Sequence, residues 1–400
     1  MSNVGPLTGM KVIELAHIMA GPACGLMLAD MGADVIKVEK PDGDDSRRFL
    51  PPDINGESAA YMMMNRNKRG IALNLKDPDA IAALRTLLDS ADVVIENYRH
   101  DTMAKLGLDY ETLRSTNPKL VYCAISGFGR TGPYAERGGF DLIAQGMSGL
   151  MSITGEGPGR PPVKPGAPIA DITAGFLAAL GCVSAYTHAQ KTGEGQMVDT
   201  SLFEAGISLT YWQSAIAFAT GQAPGALGSA HPLNAPYQSF RTRDGWINIG
   251  AANQRNWHRL LDVIDAPELG TDPRFVTNRD RIQNLAALVP LLEGYMKLRD
   301  TNDWIARMEA AGLPAGPVMD VCEMHRDPQA IARDMIVETD HPTAGPVKAI
   351  GLPIKFSETP GGVARPAPNL GQHGPEVLSE HGYSQEQIDA LKRQSALIVA

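Results

Sequence analysis

The chain has 400 residues, 44% of them hydrophobic and 20% charged, with 36 basic against 45 acidic side chains. That is enough for a sizeable core and two domains, and a formal charge of −9 offers no global field to a polyanion such as nucleic acid. The four cysteines, Cys24, Cys123, Cys182 and Cys322, show neither CxxC nor Cys/His ligand spacing, so free thiols in a reducing compartment and no metal site are expected. The first residues lack a basic-then-apolar signal pattern, and no uncharged apolar run reads as a membrane span. The expectation is a cytoplasmic enzyme without a membrane partner.

Short β-branched runs alternate with helical patterns through residues 1–220. Lys11–Ala16 reads as a buried strand, and Pro22 opens a helix that Gly32 stops. Asp34–Glu39 and Ile71–Leu75 are the next strands. Asp77-Pro78-Asp79 is a strong helix start, with a cap, a first-turn Pro and an acid, and its helix runs to about Ser90. Asp92–Glu96 and Leu120–Ser126 are further strands. Ile172, Phe176, Leu180 and Val183 fall at helical spacing up to Gly193, followed by a short strand at Gln196–Asp199 and a helix from Leu202 to about Thr220. This βαβ rhythm predicts an α/β fold whose large domain holds a Rossmann-like, mainly parallel sheet. Residues 221–326 read as a smaller α+β domain. It opens with a Gly/Ala/Pro linker, then a hairpin of Tyr237–Arg241 and Trp246–Gly250 around Asp244-Gly245. Helices follow at Asn253–Ile264, Asn284–Lys297 and Thr301–Ala311. Residues 327–400 form a Pro-rich segment, ending in a helix at Ser384–Arg393, that returns to the large domain.

Several segments place chemistry at one edge of this sheet. His17 follows the first strand, Lys40 the second, and Asn97-Tyr98-Arg99-His100 the fourth; ligands of open α/β sheets bind at that edge. Asn65-Arg-Asn-Lys-Arg-Gly70 reads either as a solvated turn or as a phosphate-binding rim. Gly127-Phe-Gly129-Arg-Thr-Gly132 matches GxGxxG after a strand, which raises a nicotinamide-dependent dehydrogenase. The first strand lacks that fingerprint, however, and no acid for a ribose follows, so a tight loop is the better reading. With no Gly-x-Ser-x-Gly elbow, Cys–His pairing or P-loop, carboxylates remain as nucleophiles. Asp171 stands where the loop Gly166-Ala-Pro-Ile-Ala170 becomes a helix. The local reading is an N-cap, and the helix dipole there would favour the ionised form.

The ordered motifs resemble those of the class III coenzyme A transferases, the group of formyl-CoA and carnitine CoA-transferases. They are Leu7-Thr-Gly-Met-Lys-Val-Ile-Glu-Leu15, Leu28-Ala-Asp-Met-Gly-Ala-Asp-Val-Ile-Lys-Val-Glu39, Asn65-Arg-Asn-Lys-Arg69, Asp92-Val-Val-Ile-Glu-Asn-Tyr98, Gly166–Asp171, Lys191-Thr-Gly-Glu-Gly-Gln196 and Gly316-Pro-Val318. The resemblance runs nearly end to end. It implies a large CoA-binding domain, an interlocked homodimer, and an acyl-CoA thioester as substrate with no permanently bound cofactor. It also implies that Asp171 carries first an acyl group, as a mixed anhydride, and then CoA, as a thioester. By position, it assigns CoA contacts to His17, Ala20, Lys40, Leu73, Lys76, Asn97, Tyr98, Arg99 and Lys105. Arg137 stands beside a lysine position of the family, and Asp141 is an accessory acid.

Two departures sharpen this. The glycine-rich flap of formyl-CoA transferases is absent, and Gly221–Gly250 is more similar to members that pass CoA, for example from succinyl-CoA, to dicarboxylic acids. The alternative within the same fold is an α-methylacyl-CoA racemase, which needs a His before the acid where this chain has Phe140-Asp141.

Overall fold

The computed structural model describes residues 4–399. Contacts divide them into two compact units. The first comprises residues up to Leu150, Lys164–Ser214 and residues from Pro328 onward; the second comprises Met151–Val163 and Ala215–Asp327. The predicted large domain is thus interrupted, because the segment before Lys164 groups with the second unit.

The first unit is built on six parallel strands: β1 (Lys11–Leu15), β2 (Asp34–Glu39), β3 (Arg69–Leu73), β4 (Val93–Glu96), β5 (Val121–Ser126) and β6 (Met197–Ser201). They lie in the order 3-2-1-4-5-6, and Leu397–Ile398 adds an antiparallel seventh strand outside β3. The central runs, such as Val93-Val-Ile-Glu96, are buried throughout, as expected of strands covered on both faces. Helix α1 (Ala20–Asp30) follows β1, and α2 (Pro78–Asp89) leads from β3 to β4 with Asp77 capping it through Asp79 N at 2.8 Å. Three more helices, α3 (Asp141–Met147), α4 (Ile169–Thr192) and α5 (Leu202–Ser208), complete the frame of the site. Two apolar cores result, one on each face of the sheet.

Some boundaries differ from expectation for physical reasons. The third strand begins at Arg69, since Arg69 and Gly70 pair with Ile36 and Lys37 in parallel register. The helix expected from Leu202 to Thr220 is two, Leu202–Ser208 and Tyr211–Thr220. Helix α4, 24 residues long, is apolar and long enough to cross a membrane by length and composition, contrary to the sequence expectation. One face of it lies in the core through Ala174, Ala178, Cys182 and Ala185, packed on α1; Phe176 and Leu180 on another face are exposed.

The basic cluster at residues 65–69 is neither a solvated turn nor a phosphate rim. Arg66 binds Asp30 at 2.6 Å, and Arg69 binds Asp34, Glu376 and Glu380 at 2.6, 3.0 and 2.7 Å. Lys68, fully buried, reaches Glu14 Oε2 at 2.8 Å. The other oxygen of Glu14 holds Lys37 at 3.0 Å; Lys37 also binds Asp44 at 2.9 Å and donates to Ala16 O at 2.8 Å. Two cations and two carboxylates thus balance within the core. The two carboxylates raise the Lys37 ammonium against the cost of its burial, while burial lowers Lys68 to about 8.

The second unit pairs Tyr237–Arg241 with Trp246–Gly250 antiparallel and adds Ala315–Pro317. Its core gathers Phe240, Trp257, Phe275 and Trp304 from the sheet and surrounding helices.

Replacing one member of a buried ion cluster strands the rest without compensation. Lys37→Met is therefore expected to cost about 3–5 kcal/mol, read from the urea unfolding midpoint. A loss below about 1 kcal/mol would show that the cluster does not hold the fold.

Candidate functional site

β1 and β4 are adjacent, and the chain leaves their carboxyl ends toward opposite halves of the sheet. That makes a crevice at the switch point, where doubly wound sheets bind ligands. Its first wall is the loop 17–19 between β1 and α1. Ile18 holds a φ of 66°, an uncommon and strained conformation for a β-branched residue. Its N–H donates to both oxygens of Asp44, at 3.1 and 3.2 Å, so the buried ion cluster grips this loop directly. Asn97, just past β4, closes the grip from the other side. Its Oδ1 accepts from His17 N at 3.0 Å, and its Nδ2 donates to His17 O at 2.9 Å. Burial lowers the His17 imidazole, with Asp44 opposing.

The second wall comes from a close approach of two backbones. A Cβ on Gly127, just past β5, would stand 2.7 Å from Gly139 Cα, and one on Gly139 would stand 2.6 Å from Gly127 Cα. Only two bare glycines allow this, and it sets Phe140 and Asp141 beside the end of β5. The first Gly of the GxGxxG match thus serves backbone contact. Helix α4 forms the third wall. A Cβ on Gly175 would meet Ala23 Cβ at 2.6 Å and Ala20 O at 2.7 Å, so Gly175 lets α4 lie against the start of α1. Asp171, one turn earlier, is thereby set beside Ala20.

A cavity of about 130 Å³ results, lined by Asp171 with His17, Ala20, Asn97, Gly139 and Phe140 among others. A cleft of about 480 Å³ shares His17, Asn97 and Phe140 with it and adds Tyr98, Arg99 and Arg137. The Tyr98 ring packs edge-on against His17 at 5.8 Å, and Arg137 lies over the Tyr134 ring at 4.6 Å. Arg130 of this cleft pairs with the buried Glu96, whose second oxygen accepts from Tyr98 N at 2.8 Å. The second unit holds a cavity of about 640 Å³, but no carboxylate, thiol or basic side chain lines it.

Asp171 is not the N-cap of its helix. Pro168 takes that position without a side-chain bond, and Asp171 lies in the first turn. Capping comes from another helix: Asp141 Oδ1 accepts from Ala170 N at 2.9 Å and Asp171 N at 3.5 Å, while Gln145 Nε2 steadies its other oxygen at 2.6 Å. Nor does the helix terminus dominate the ionisation. Burial first, then the Asp141 charge, raises the Asp171 carboxyl to about 7.

Seven of the anticipated positions, His17, Ala20, Asn97, Tyr98, Arg99, Arg137 and Asp171, line these two spaces, and Asp141 supports them from behind. Lys40, Leu73, Lys76 and Lys105 line neither. Lys40 binds Asp45 at 2.7 Å, Lys105 pairs with Asp101, Lys76 is exposed, and Leu73 is fully buried in the core. Sequence reasoning missed Asp44, whose run Asp42-Gly-Asp-Asp45 resembles any polar loop, and Gln145, a common helical residue.

Similarity settles the class. The family model CoA-transferase family III matches residues 7–374, and the chain belongs to that family of enzymes. The succinate–glutarate CoA-transferase of Agrobacterium fabrum is 41% identical, with 94% of this chain and 95% of that protein covered. The acetyl-CoA:oxalate CoA-transferase of Acetobacter aceti is 38% identical, with 94% and 96% covered. A CaiB/BaiF family protein from Brucella suis superposes with a TM-score of 0.85 at 41% identity, covering 94% of this chain and 99% of that one.

Because folding raises the Asp171 carboxyl, its protonated form stabilises the native state below about pH 4. That contribution is lost as pH rises through about 7. Asp171→Asn escapes the loss. Its melting temperature should match the parent most closely near about pH 4 and exceed it by about 1–2 °C near about pH 9, an effect of about 1 kcal/mol after solvent screening spread over the unfolding entropy of a long chain. Equal differences at both pH values would contradict the raised carboxyl.

Proposed function

We propose that this enzyme moves CoA from an acyl-CoA donor, of the succinyl-CoA type, to a second carboxylic acid, most fittingly a dicarboxylate, through covalent intermediates on Asp171. The observation that carries this is a partly buried carboxyl, raised to about 7, in a cavity at the switch point of the sheet. Relatives of similar length that act on succinyl-CoA with glutarate, D-citramalate or mesaconate support the substrate class.

The chemistry follows from what a carboxylate can do. One oxygen of Asp171 attacks the thioester carbonyl, the C–S bond breaks, and CoA leaves as thiolate. The mixed anhydride retains the activation of the thioester. CoA thiolate then attacks the Asp171 carbonyl carbon and releases the donor acid, which carries away an Asp171 oxygen. The acceptor carboxylate attacks this second thioester, CoA leaves again and attacks the acceptor carbonyl, and Asp171 regains an oxygen from the acceptor. No proton is gained or lost overall, so no general acid is required. A carboxylate drawn from water and set near a like charge is a stronger nucleophile than an exposed one, and a value near 7 leaves it substantially ionised at neutral pH.

The cleft holding Tyr98, Arg99 and Arg137 suits the nucleotide and pantetheine arms of CoA, with His17, Ala20 and Asn97 nearer the thioester. Lys40, Leu73, Lys76 and Lys105 enter only as positional family matches. Racemisation, the alternative, needs a proton carrier where Phe140 stands. We also propose that the functional form is a cytoplasmic homodimer, the partner covering exposed Phe176, Leu180, Tyr211 and Trp212.

Asp171→Ala should lose at least about a thousandfold in transfer rate while still binding CoA. In the parent, brief incubation with succinyl-CoA should leave an adduct on Asp171, seen by intact mass and trapped by hydroxylamine. Normal turnover by the variant would overturn the mechanism. Rapid exchange of the α-proton of a 2-methylacyl-CoA with solvent would favour the racemase. In a series of buffers, kcat/KM for the donor should rise to a plateau through about pH 7, as the free carboxyl ionises; a profile flat from about pH 5 would contradict it.

A further inference from the structure

Three cysteines far apart in sequence meet in the core behind the site. Cys24 lies on α1, one turn past Ala20. Cys123 lies on β5, shortly before the end at Ser126, and Cys182 lies on the buried face of α4. All three are fully buried and free, and their sulfurs lie within 4.8 Å of one another. The expectation of no metal site rested on linear spacing, which cannot register a cluster assembled from two helices and a strand.

We propose that Cys24, Cys123 and Cys182 form a binding site for one soft divalent d10 cation, with Cd(II) as its probe. Trigonal thiolate coordination at the zinc–sulfur distance of about 2.3 Å puts sulfurs about 4.0 Å apart, and a larger ion such as Cd(II) puts them somewhat wider, so sulfurs already within 4.8 Å of one another need to move by less than about 1 Å. Sulfur alone among the side-chain ligands is offered, which selects soft ions over Mg(II) or Ca(II). The surroundings, including Ala178, Ala179 and Ile125, are apolar. Such a core disfavours charge, and a divalent ion offsets most of the charge of three thiolates: three S–H bonds break, three metal–thiolate bonds form, and three protons leave to solvent, so that one net negative charge remains on the complex. No oxidant or reductant is involved.

The site would cross-link the three elements that carry Ala20, Ser126 and Asp171. It is separate from the transfer chemistry, so its test does not depend on the proposed reaction.

Cys322 is exposed and would bind soft metals adventitiously, so the test begins with full-length Cys322→Ser. After equilibration with Cd(II) and desalting, that protein should retain one ion per chain, show an ultraviolet sulfur-to-metal charge-transfer band, and release three protons per ion in weakly buffered solution. Cys182→Ala and Cys123→Ala in the same background, with folding verified by circular dichroism, should each lose the ion and the band. Failure of the folded Cys322→Ser protein to retain stoichiometric Cd(II) overturns the proposal even if neither cluster variant folds. So does an undiminished ion in a folded cluster variant.

Discussion

The structure depends on how Glu14, Lys37, Asp44 and Lys68 share charge where water does not reach. Each of these groups alone would be prohibitively costly in the core; together they are neutral and mutually bonded. Their effect is geometric as much as energetic. Glu14 belongs to β1, Lys37 to β2, and Lys68 precedes β3, so the cluster ties the central strands from within. Asp44 extends it to the amide of Ile18 and holds that residue in a backbone conformation it would not choose. A site wall is thereby made from a strained loop whose freedom is removed from beneath by Asp44 and from the side by Asn97.

The same economy of means sets the character of Asp171. In the nucleophilic role proposed for it, this carboxylate must be reactive yet charged, and these demands pull in opposite directions. Burial sharpens reactivity but discourages ionisation. Asp141 adds to that discouragement, yet it also satisfies the amides at the head of α4 that Asp171 leaves uncapped. One acid organises the helix while the other stays available to the cavity. Had Asp171 capped its own helix, its oxygens would have been committed to backbone amides.

Much of this was legible in the sequence. The β-branched runs announced the parallel strands, and the residues following β1 and β4 reach the crevice as their place at the strand ends implied. Local chemistry was harder to read. Arg66, Lys68 and Arg69 look like a solvent-facing cluster because linear sequence does not show Asp30, Glu14 and Glu376 waiting to neutralise them. Helix α4 was read as one helix ending at Gly193, as it does; what was missed is that its uncharged apolar run reaches membrane-spanning length, since its charged residues sit only near its ends. The cap on α4 was misassigned because its true donor of oxygen lies on a different helix. The errors at the basic cluster and at the cap of α4 concern partners distant in sequence, while the successes concern patterns contained within a few residues.

The touching glycines at positions 127 and 139 carry a consequence for how this enzyme can diversify. They pinch the intervening segment into a closed loop with a rigid neck, and that loop bears Arg130, Tyr134 and Arg137. The near side of the loop is tied to the site, Gly129 N donating to Ser126 Oγ at 2.9 Å and Arg130 holding Glu96, whereas Gly132, Tyr134 and Glu136 beyond it are exposed. Variation at the exposed turn alters the rim of the cleft, whereas variation at Gly129 or Arg130 reaches the floor of the site through Ser126 and Glu96, so one short loop carries a tolerant half and an intolerant half.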